Sequence, residues 1–194
     1  MDTRAQTTAS TRMRLLDATV QCLDQVSADA LTMQMVAERA DVALRTVYNH
    51  FPSKEALVVQ AYTRLASRTQ EAVRVLPDIG PAHERLAAFV DAFFDVFEHE
   101  SPGAAVILGV SGIPEFDAKL AEVRTWRRYE LAKILRAANR EGTLRVPLKH
   151  AIALAFHMTA YVTWRSFVEE SGLSPAVAKS LARDSLDAAL FRVA

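Results

Sequence analysis

Apolar side chains recur three and four residues apart through most of the chain, which is the spacing of one face of an α-helix. The first stripe begins at Leu15. It follows a polar segment, residues 1–10, that we expect to be a flexible arm, with Ser10 or Thr11 capping the first helix. Later stripes predict helices over residues 53–76, 82–100, 114–140, 148–171 and 175–193, with a short apolar piece at 103–111. No sustained alternation of apolar and polar residues indicates a strand, so the sequence predicts an all-α fold of about nine helices.

Two short stripes between Thr32 and Phe51 differ from the others. Helices of about two turns are marginal in water, so this pair needs the preceding helix as a packing partner. The second helix, from about Ala43 to Phe51, also carries Thr46, Asn49 and His50, polar groups that a purely structural helix does not need. This pattern indicates a helix-turn-helix unit that contacts DNA.

Individual residues indicate where the helices of this unit begin and end. Thr32 and Ser53 are expected N-caps, and Pro52 ends the helix before it because the residue preceding a proline is pushed out of the helical region. Asp41 occupies a turn that usually needs a left-handed backbone, at a cost of roughly 1 kcal/mol. Farther along, Ser174 is expected to cap the last helix.

Composition permits a substantial core but gives no sign of a basic DNA-binding surface. The 194 residues are 51% hydrophobic and carry no net charge, with eight Lys and Arg against seven Asp and Glu in residues 1–68. DNA binding must therefore rest on a few well-placed groups. The single cysteine, Cys22, excludes an intrachain disulfide and is expected to be a small core residue, since nothing basic adjoins it in sequence.

The sequence shows no motif of a secreted protein, a membrane protein, a metal-binding protein or an enzyme. The first residues lack the apolar core of a signal peptide, and the longest apolar stretch, near 151–162, is too short to cross a bilayer, so we expect a soluble, cytoplasmic protein. No metal-ligand spacing, phosphate-binding loop, dinucleotide fingerprint or catalytic serine motif is present. We expect no catalytic residues, no metal and no cofactor.

The chain resembles the tetracycline-repressor (TetR) family of bacterial transcription regulators. The resemblance is strong over Leu15–Leu57 and is carried by motifs in the family's order and spacing: Leu31-Thr32, Val36-Ala37, Arg39-Ala40, Val42, Thr46-Val47-Tyr48, His50-Phe51 and Ser53-Lys54-Glu55-Ala56-Leu57. Beyond residue 65 it is architectural. The resemblance implies a DNA-binding head at 11–52, an effector-binding and dimerisation body at 53–194, and a homodimer built on the last two long helices. Asp41, in place of the usual glycine, and Ala43, in place of the usual serine, depart from the family pattern.

Eight residues are predicted to contact DNA. Arg45 is the best candidate to bind a guanine edge, Leu44 and Thr46 lie on the same first turn of the helix, and Asn49 is placed to contact adenine or solvent. The resemblance assigns Tyr48 and His50 to phosphates. Thr32 and Lys54 are expected to hold phosphates at two helix starts. Arg4, Arg12 and Arg14 are expected either to contact DNA from the arm or to be solvated there.

The body offers an aromatic set that suits either a core or a pocket for a mostly apolar, aromatic or amphipathic molecule. Its members are Phe89, Phe93, Phe97, Trp126, Tyr129, Phe156, His157, Tyr161 and Trp164. His157 and Tyr161, four residues apart, are expected to share a helix face and, with Arg127 or Glu130, to supply polar groups. Residues 148–171 are apolar on nearly every side and are expected to be buried all round. The predicted dimer-interface residues are Val162, Phe167, Ala178, Leu181, Ala182, Ser185 and Ala189.

These observations predict a ligand-responsive transcriptional regulator, with a repressor released from a pseudo-palindromic operator as the leading hypothesis. The alternative is an all-α small-molecule-binding protein or enzyme with a vestigial DNA-binding head. An activator, or a regulator without a ligand, is a third possibility.

Overall fold

The structure, a computed structural model, describes residues 3–23, 25–99, 110 and 112–192, with side chains from residue 6 onward. These residues form nine α-helices and no strand beyond a single bridge. The helices are α1 Thr3–Leu23, α2 Met33–Arg39, α3 Leu44–His50, α4 Lys54–Arg74, α5 Ala82–His99, α6 Pro114–Arg140, α7 Leu148–Met158, α8 Tyr161–Arg165 and α9 Pro175–Leu190. The prediction of an all-α fold is confirmed. The short apolar piece expected at 103–111 lies almost wholly outside the described residues.

The first compact unit comprises Met1–Ser67 and Glu100–Leu120. Within it α2 packs against both α1 and α3. The core is formed by large side chains that are at most 1% exposed: Leu15, Leu31, Val36, Val47, Phe51, Leu57 and Phe116. The unit extends along α4 as far as Ser67, so it contains more than the 11–52 segment predicted as the head.

The start of the first helix was predicted wrongly. Helix α1 begins at Thr3, so residues 3–10 are helical and not an arm, and neither Ser10 nor Thr11 is its cap. Polar composition was mistaken for irregular structure, although Thr, Ala, Gln and Ser are all tolerated on the solvent side of a helix.

The local signals around α2 and α3 are confirmed. Thr32 caps α2 by accepting a hydrogen bond from the Met35 amide at 3.2 Å. Asp41 has a φ of 53°, the left-handed conformation expected of the turn. Ser53 accepts from the Ala56 amide at 3.2 Å. Ala43 takes the extended backbone of an N-cap but supplies no side-chain hydrogen bond to α3.

The second compact unit comprises Arg68–His99 and Ala121–Ala194. Its last helix, α9, is capped by Ser174 and packs against α5 and α7. Paired backbone hydrogen bonds at 2.9 Å, from Arg145 to Leu190 and from Arg192 to Thr143, hold the end of α9 beside the segment after α6. The expected serine cap of α9 is confirmed.

The predicted continuous helix over 148–171 is broken. Helix α7 ends at Met158, α8 starts at Tyr161, and a π-helical turn follows at Ser166–Glu170. Thr159 Oγ1 donates to the Ala155 carbonyl at 2.8 Å and Thr163 Oγ1 to the His157 carbonyl at 2.7 Å, in addition to the backbone amides that these two carbonyls accept at the break. The segment is also not buried all round, because Leu154 is 38% and Val162 50% exposed.

Candidate nucleic-acid interface and effector site

Helix α3 has one buried face and one open face. Val47 is fully buried, whereas Leu44 is 37% and Tyr48 52% exposed. Arg45 and Asn49 are exposed as well, and Thr46 and His50 are half-buried at the border between the faces. The structure therefore leaves four of the six residues predicted on this helix exposed, Leu44, Arg45, Tyr48 and Asn49, and the other two partly accessible beside them. That geometry suits insertion of a short helix into a major groove.

Thr32 and Lys54 flank α3 in sequence and are both engaged within the first unit. The Thr32 hydroxyl accepts the α2 capping bond and keeps its proton for another acceptor. Lys54 Nζ donates to the Asp29 carbonyl at 3.0 Å, which fastens the start of α4 to the turn before α2. An ammonium group has three protons, so this bond leaves donors for a phosphate. Lys54 thus has a structural role that its position in sequence did not reveal.

Arg12 was predicted to lie on a flexible arm, and the structure places it differently. It lies within α1 and is half-buried. Its Nη1 donates to the His50 carbonyl at 3.1 Å, its Nη2 to Gln60 Oε1 at 3.2 Å, and its Cζ lies 4.4 Å from the centre of the Phe51 ring. Arg14 is exposed, and the side chain of Arg4 lies outside the described residues. Arg12 is therefore not a solvated arm residue.

The second unit gathers most of the predicted pocket aromatics into one chain of ring contacts. Phe89 stacks on Phe93 at 4.9 Å, and Phe93 contacts both Phe97 at 5.9 Å and Trp126 at 6.3 Å. Phe97 in turn meets two rings of α8, Tyr161 at 5.4 Å and Trp164 at 6.4 Å. All of these rings are buried apart from Trp126, which is half-buried.

Polar groups accompany this aromatic chain. The Arg127 guanidinium carbon lies 4.1 Å from the Phe156 ring centre and 5.7 Å from that of Phe93, and Nη1 donates to the Thr159 carbonyl at 3.0 Å. Trp164 is 3% exposed, and its indole N–H has no hydrogen-bond partner among the described residues. A buried unpaired donor is costly, so this N–H is open to an acceptor from outside the chain.

Three predictions for this pocket are not supported by the geometry. His157 and Tyr161 do not share a helix face because the helix breaks between them, and His157 is exposed while Tyr161 is buried. Tyr129 is 58% exposed and stands away from the aromatic chain. Glu130 is paired with Lys133 at 3.0 Å, which leaves Arg127 as the charged group nearest the rings.

Two surface cavities of about 280 and 440 Å³ lie elsewhere in this unit, at the start of α5 and the end of α9. Both are lined by His83, Asp187 and Phe191 and by none of the predicted pocket residues. Among the described residues no three His, Cys, Asp or Glu side chains are grouped as a metal site would require. None of the described helices combines the length and the apolar character needed to cross a membrane.

Cys22 is a core residue, 3% exposed. Burial raises the pKa of its thiol above the ordinary value, and the charge of Arg39 opposes this only in part. Arg39, which is distant from Cys22 in sequence, thus acts on the thiol in the folded chain, an effect that neighbouring residues in the sequence do not indicate. Since burial prevails, the thiolate is disfavoured and the thiol is unreactive.

Part of this chain is similar in sequence to known bacterial transcription regulators. Residues 15–61 match the family model of bacterial regulatory proteins, tetR family. The chain is 49% identical over 53 residues to the HTH-type transcriptional repressor KstR of Rhodococcus jostii, which is 27% of this chain and 25% of that protein. It is 38% identical over 82 residues to the HTH-type transcriptional activator FasR of Mycolicibacterium smegmatis, 40% of this chain and 36% of that one.

A solved structure extends the likeness. A bacterial regulatory protein in the tetR family from Rhodococcus RHA1 superposes with a TM-score of 0.83 at 17% identity, over 95% of this chain and 98% of that one. By sequence, the likeness to the TetR family is shown for residues 15–61, the segment that contains α2 and α3. The chain's sequence likeness to the curated TetR-family relatives spans only a quarter to about a third of their length. Over the rest of the chain the likeness shows the fold.

The residues predicted for the dimer interface divide into two groups. Val162 and Leu181 are 50% and 42% exposed, Ser185 is exposed, and Phe167 and Ala189 are half-buried. Ala178 and Ala182 are fully buried within the protomer, so their assignment to the interface was wrong. Their small side chains lie on the buried side of α9, a helix that packs on both α5 and α7 and whose Arg183 pairs with Asp91 of α5 at 3.0 Å.

The exposed side of α9 carries a different apolar pair. Val177 is 51% exposed and stands one turn before Leu181. Leu154 on α7 is exposed too, and α7 packs against α9. Leu181 was among the predicted interface residues, whereas Val177, four residues before it, was not.

Proposed function

We propose that this chain is a dimeric DNA-binding transcriptional regulator of the TetR family, most simply a repressor released from its operator by an apolar or amphipathic small molecule. The observation that carries the proposal is the open face of α3, where Leu44, Arg45, Tyr48 and Asn49 are exposed above a buried Val47. A short helix with polar and cationic groups on its outer side is what groove recognition needs.

DNA recognition is assigned to the predicted set. Arg45 donates two hydrogen bonds to a guanine edge, with Leu44 and Thr46 beside it and Asn49 one turn on. Tyr48, His50, Thr32 and Lys54 bind phosphates. The dimer contacts two half-sites about one helical turn, roughly 34 Å, apart. With no net charge on the chain, affinity comes from these few groups and from the two linked heads.

The effector site is assigned to the aromatic chain between α5, α6 and α8. Stacked rings bind an apolar or aromatic molecule, and the cationic Arg127 and the open N–H of Trp164 favour one that also carries an acceptor. Such a molecule releases DNA only if it binds the DNA-free conformation more tightly. The names of the relatives include both a repressor and an activator, so the sign of control is part of the test.

Selection from a pool of randomised DNA duplexes tests the proposal. We expect enrichment of a pseudo-palindrome with half-sites one turn apart. Substitution Arg45→Ala should weaken binding of the selected duplex about 5- to 150-fold, the scale of about 1–3 kcal/mol for one bidentate base contact, with the oligomeric state unchanged. Arg124→Ala removes the same charge from an exposed position on α6 and should leave affinity unchanged.

A thermal-shift screen with apolar and amphipathic compounds follows, and each hit is tested for release of the selected duplex. Failure to enrich any sequence, together with tight binding or turnover of a compound, would favour the alternative of a ligand-binding protein or enzyme with a vestigial head. Compounds that tighten DNA binding would identify an activator-like or co-repressed regulator.

A further inference from the structure

Helix α3, the recognition helix of the proposed function, ends without some of the backbone hydrogen bonds that usually close a helix. Helix α3 has only seven residues, and the Val47 carbonyl accepts from the Phe51 amide at 2.9 Å, but the carbonyls after Val47 lack partners within the helix. Phe51 is extended, with φ −137° and ψ 120°, and the next residue, Pro52, has no N–H to donate. The chain itself therefore cannot close this helix end in the usual way.

Arg12 supplies what the helix end lacks. Its guanidinium donates to the His50 carbonyl at 3.1 Å, where a positive charge is also favoured by the helix dipole. The same group donates to Gln60 on α4 at 3.2 Å and lies over the ring of Phe51, which is 1% exposed. One side chain of α1 thus joins the end of α3 to α4. The planar fork of arginine makes two directed bonds and a ring contact together, which a lysine ammonium cannot.

A second contact holds α1 in place for this task. Arg64 of α4 forms an ion pair with Asp17, which lies beyond Arg12 on α1. Because α1 is fastened to α4 by this ion pair, the backbone that carries Arg12 is held in place independently of the contact with α3. Groups that contact DNA must be held to within a fraction of an ångström, and the rest of α3 is fastened mainly through Val47 and Phe51.

We propose that Arg12 is a positioning residue for DNA binding: it fixes the end of α3 against α1 and α4 and does not itself contact DNA phosphates. This inference rests on the proposed function, in which α3 binds the operator. It assigns a role to a residue for which the sequence left open a DNA contact or a solvated arm.

Two readouts separate positioning from phosphate binding. The first needs no DNA: hydrogen exchange of the peptide that covers Val47–Phe51. Because Arg12→Met removes the bond that closes the helix end, we expect exchange there to rise about tenfold, the scale of one charge-assisted hydrogen bond. Arg14→Met, which removes an exposed charge from the same helix, should leave exchange unchanged.

The second readout is the salt dependence of affinity for the duplex selected with the wild-type chain. A lost phosphate contact lowers the slope of log affinity against log salt by about one, whereas lost positioning weakens binding with the slope unchanged. We expect Arg12→Met to bind about tenfold more weakly at every salt concentration. Arg12→Lys keeps the charge and serves as the second variant if Arg12→Met does not fold. It should lie between Arg12→Met and wild type in both exchange and affinity.

The proposal is overturned if Arg12→Met lowers the salt slope by about one with exchange unchanged, or if it behaves as Arg14→Met does. Full recovery by Arg12→Lys would also contradict it, because an ammonium group lacks the planar fork that makes both directed bonds and the ring contact at once. If the wild-type chain selects no duplex, the proposed function fails, and the exchange measurement still decides whether Arg12 fixes the end of α3.

Discussion

Asp41 holds a positive φ of 53° at the turn between α2 and α3. Non-glycine residues pay about 1–2 kcal/mol there, and Asp pays less than most because its side chain bonds locally. We expect stability in the order Asp41→Gly, wild type, Asp41→Ala, with about 1 kcal/mol between the two variants. Chemical unfolding measures the order, and a circular dichroism spectrum of each variant controls for the fold. An alanine variant as stable as the glycine variant would show that the turn is not strained.

At the scale of single residues, the sequence revealed what depends on near neighbours. The Thr32 and Ser53 caps and the turn at Asp41 were all predicted, since each depends on residues three or four positions away. Arg12 was not, because its partners are 38 and 48 residues distant in sequence. An arginine near a polar segment has the same local pattern whether it is solvated, bound to DNA or bonded to a helix end.

Helices α2 and α3 have similar lengths but unequal starts. Thr32 caps α2, while Ala43 has the extended backbone of a cap, φ −65° and ψ 143°, without an oxygen to accept a bond. Substitution Ala43→Ser should raise the free energy of unfolding by about 1 kcal/mol, and Thr32→Ala should lower it by about as much. Thermal or chemical unfolding checks both changes. Ala43→Val, which adds bulk but no acceptor, should bring no gain; if it stabilises as much as serine does, capping is not the cause.

At the scale of whole helices, the periodic stripes predicted all of the long elements but not the break inside 148–171. Helix breaks are usually marked by proline or glycine, and here neither occurs between Leu148 and Ser171. The break instead involves two threonines, Thr159 and Thr163, whose hydroxyls bond to backbone carbonyls of α7. Threonine is common within helices too, so its presence did not indicate the break. The two short helices present different faces, which explains why the segment is apolar on every side in sequence.

For the molecule as a whole, the exposed apolar residues of α7, α8 and α9 bear on the proposed dimer. Leu181 is 42% exposed, and Val162 and Val177 about half. If this surface joins two copies, Leu181→Glu buries an unpaired carboxylate, at a cost of about 3 kcal/mol or more, which is roughly a hundredfold in the dissociation constant. We expect a monomer at micromolar concentration in sedimentation experiments, with weaker operator binding because the two heads are no longer linked.

A matched control for this dimer test is Ile79→Glu. Ile79 is 84% exposed and lies in the segment between α4 and α5, outside the proposed interface. The Ile79→Glu variant should remain as dimeric as the wild-type chain. Equal dissociation of both variants would show that added charge alone disrupts assembly, and a dimeric Leu181→Glu would place the interface elsewhere.

Burial within one chain and burial between chains leave the same mark on a sequence. Ala178 and Ala182 formed the cleaner stripe and were assigned to the dimer, yet both are fully buried against their own protomer. Small residues favour close helix packing wherever it occurs. Only the three-dimensional arrangement shows that these alanines are already buried within the protomer and that Val177 and Leu181 are left exposed.

The chemistry of Cys22 has a practical consequence. It is the one cysteine of the chain, and burial both shields its sulfur and raises its pKa. Thiol-directed reagents at neutral pH should therefore pass over the native protein. A cysteine introduced by Asn49→Cys on the open face of α3 would then be the only labelled position, with no need to replace the native thiol. Paired spin labels or fluorophores at that position would act as a molecular ruler between two recognition helices, with and without an added compound.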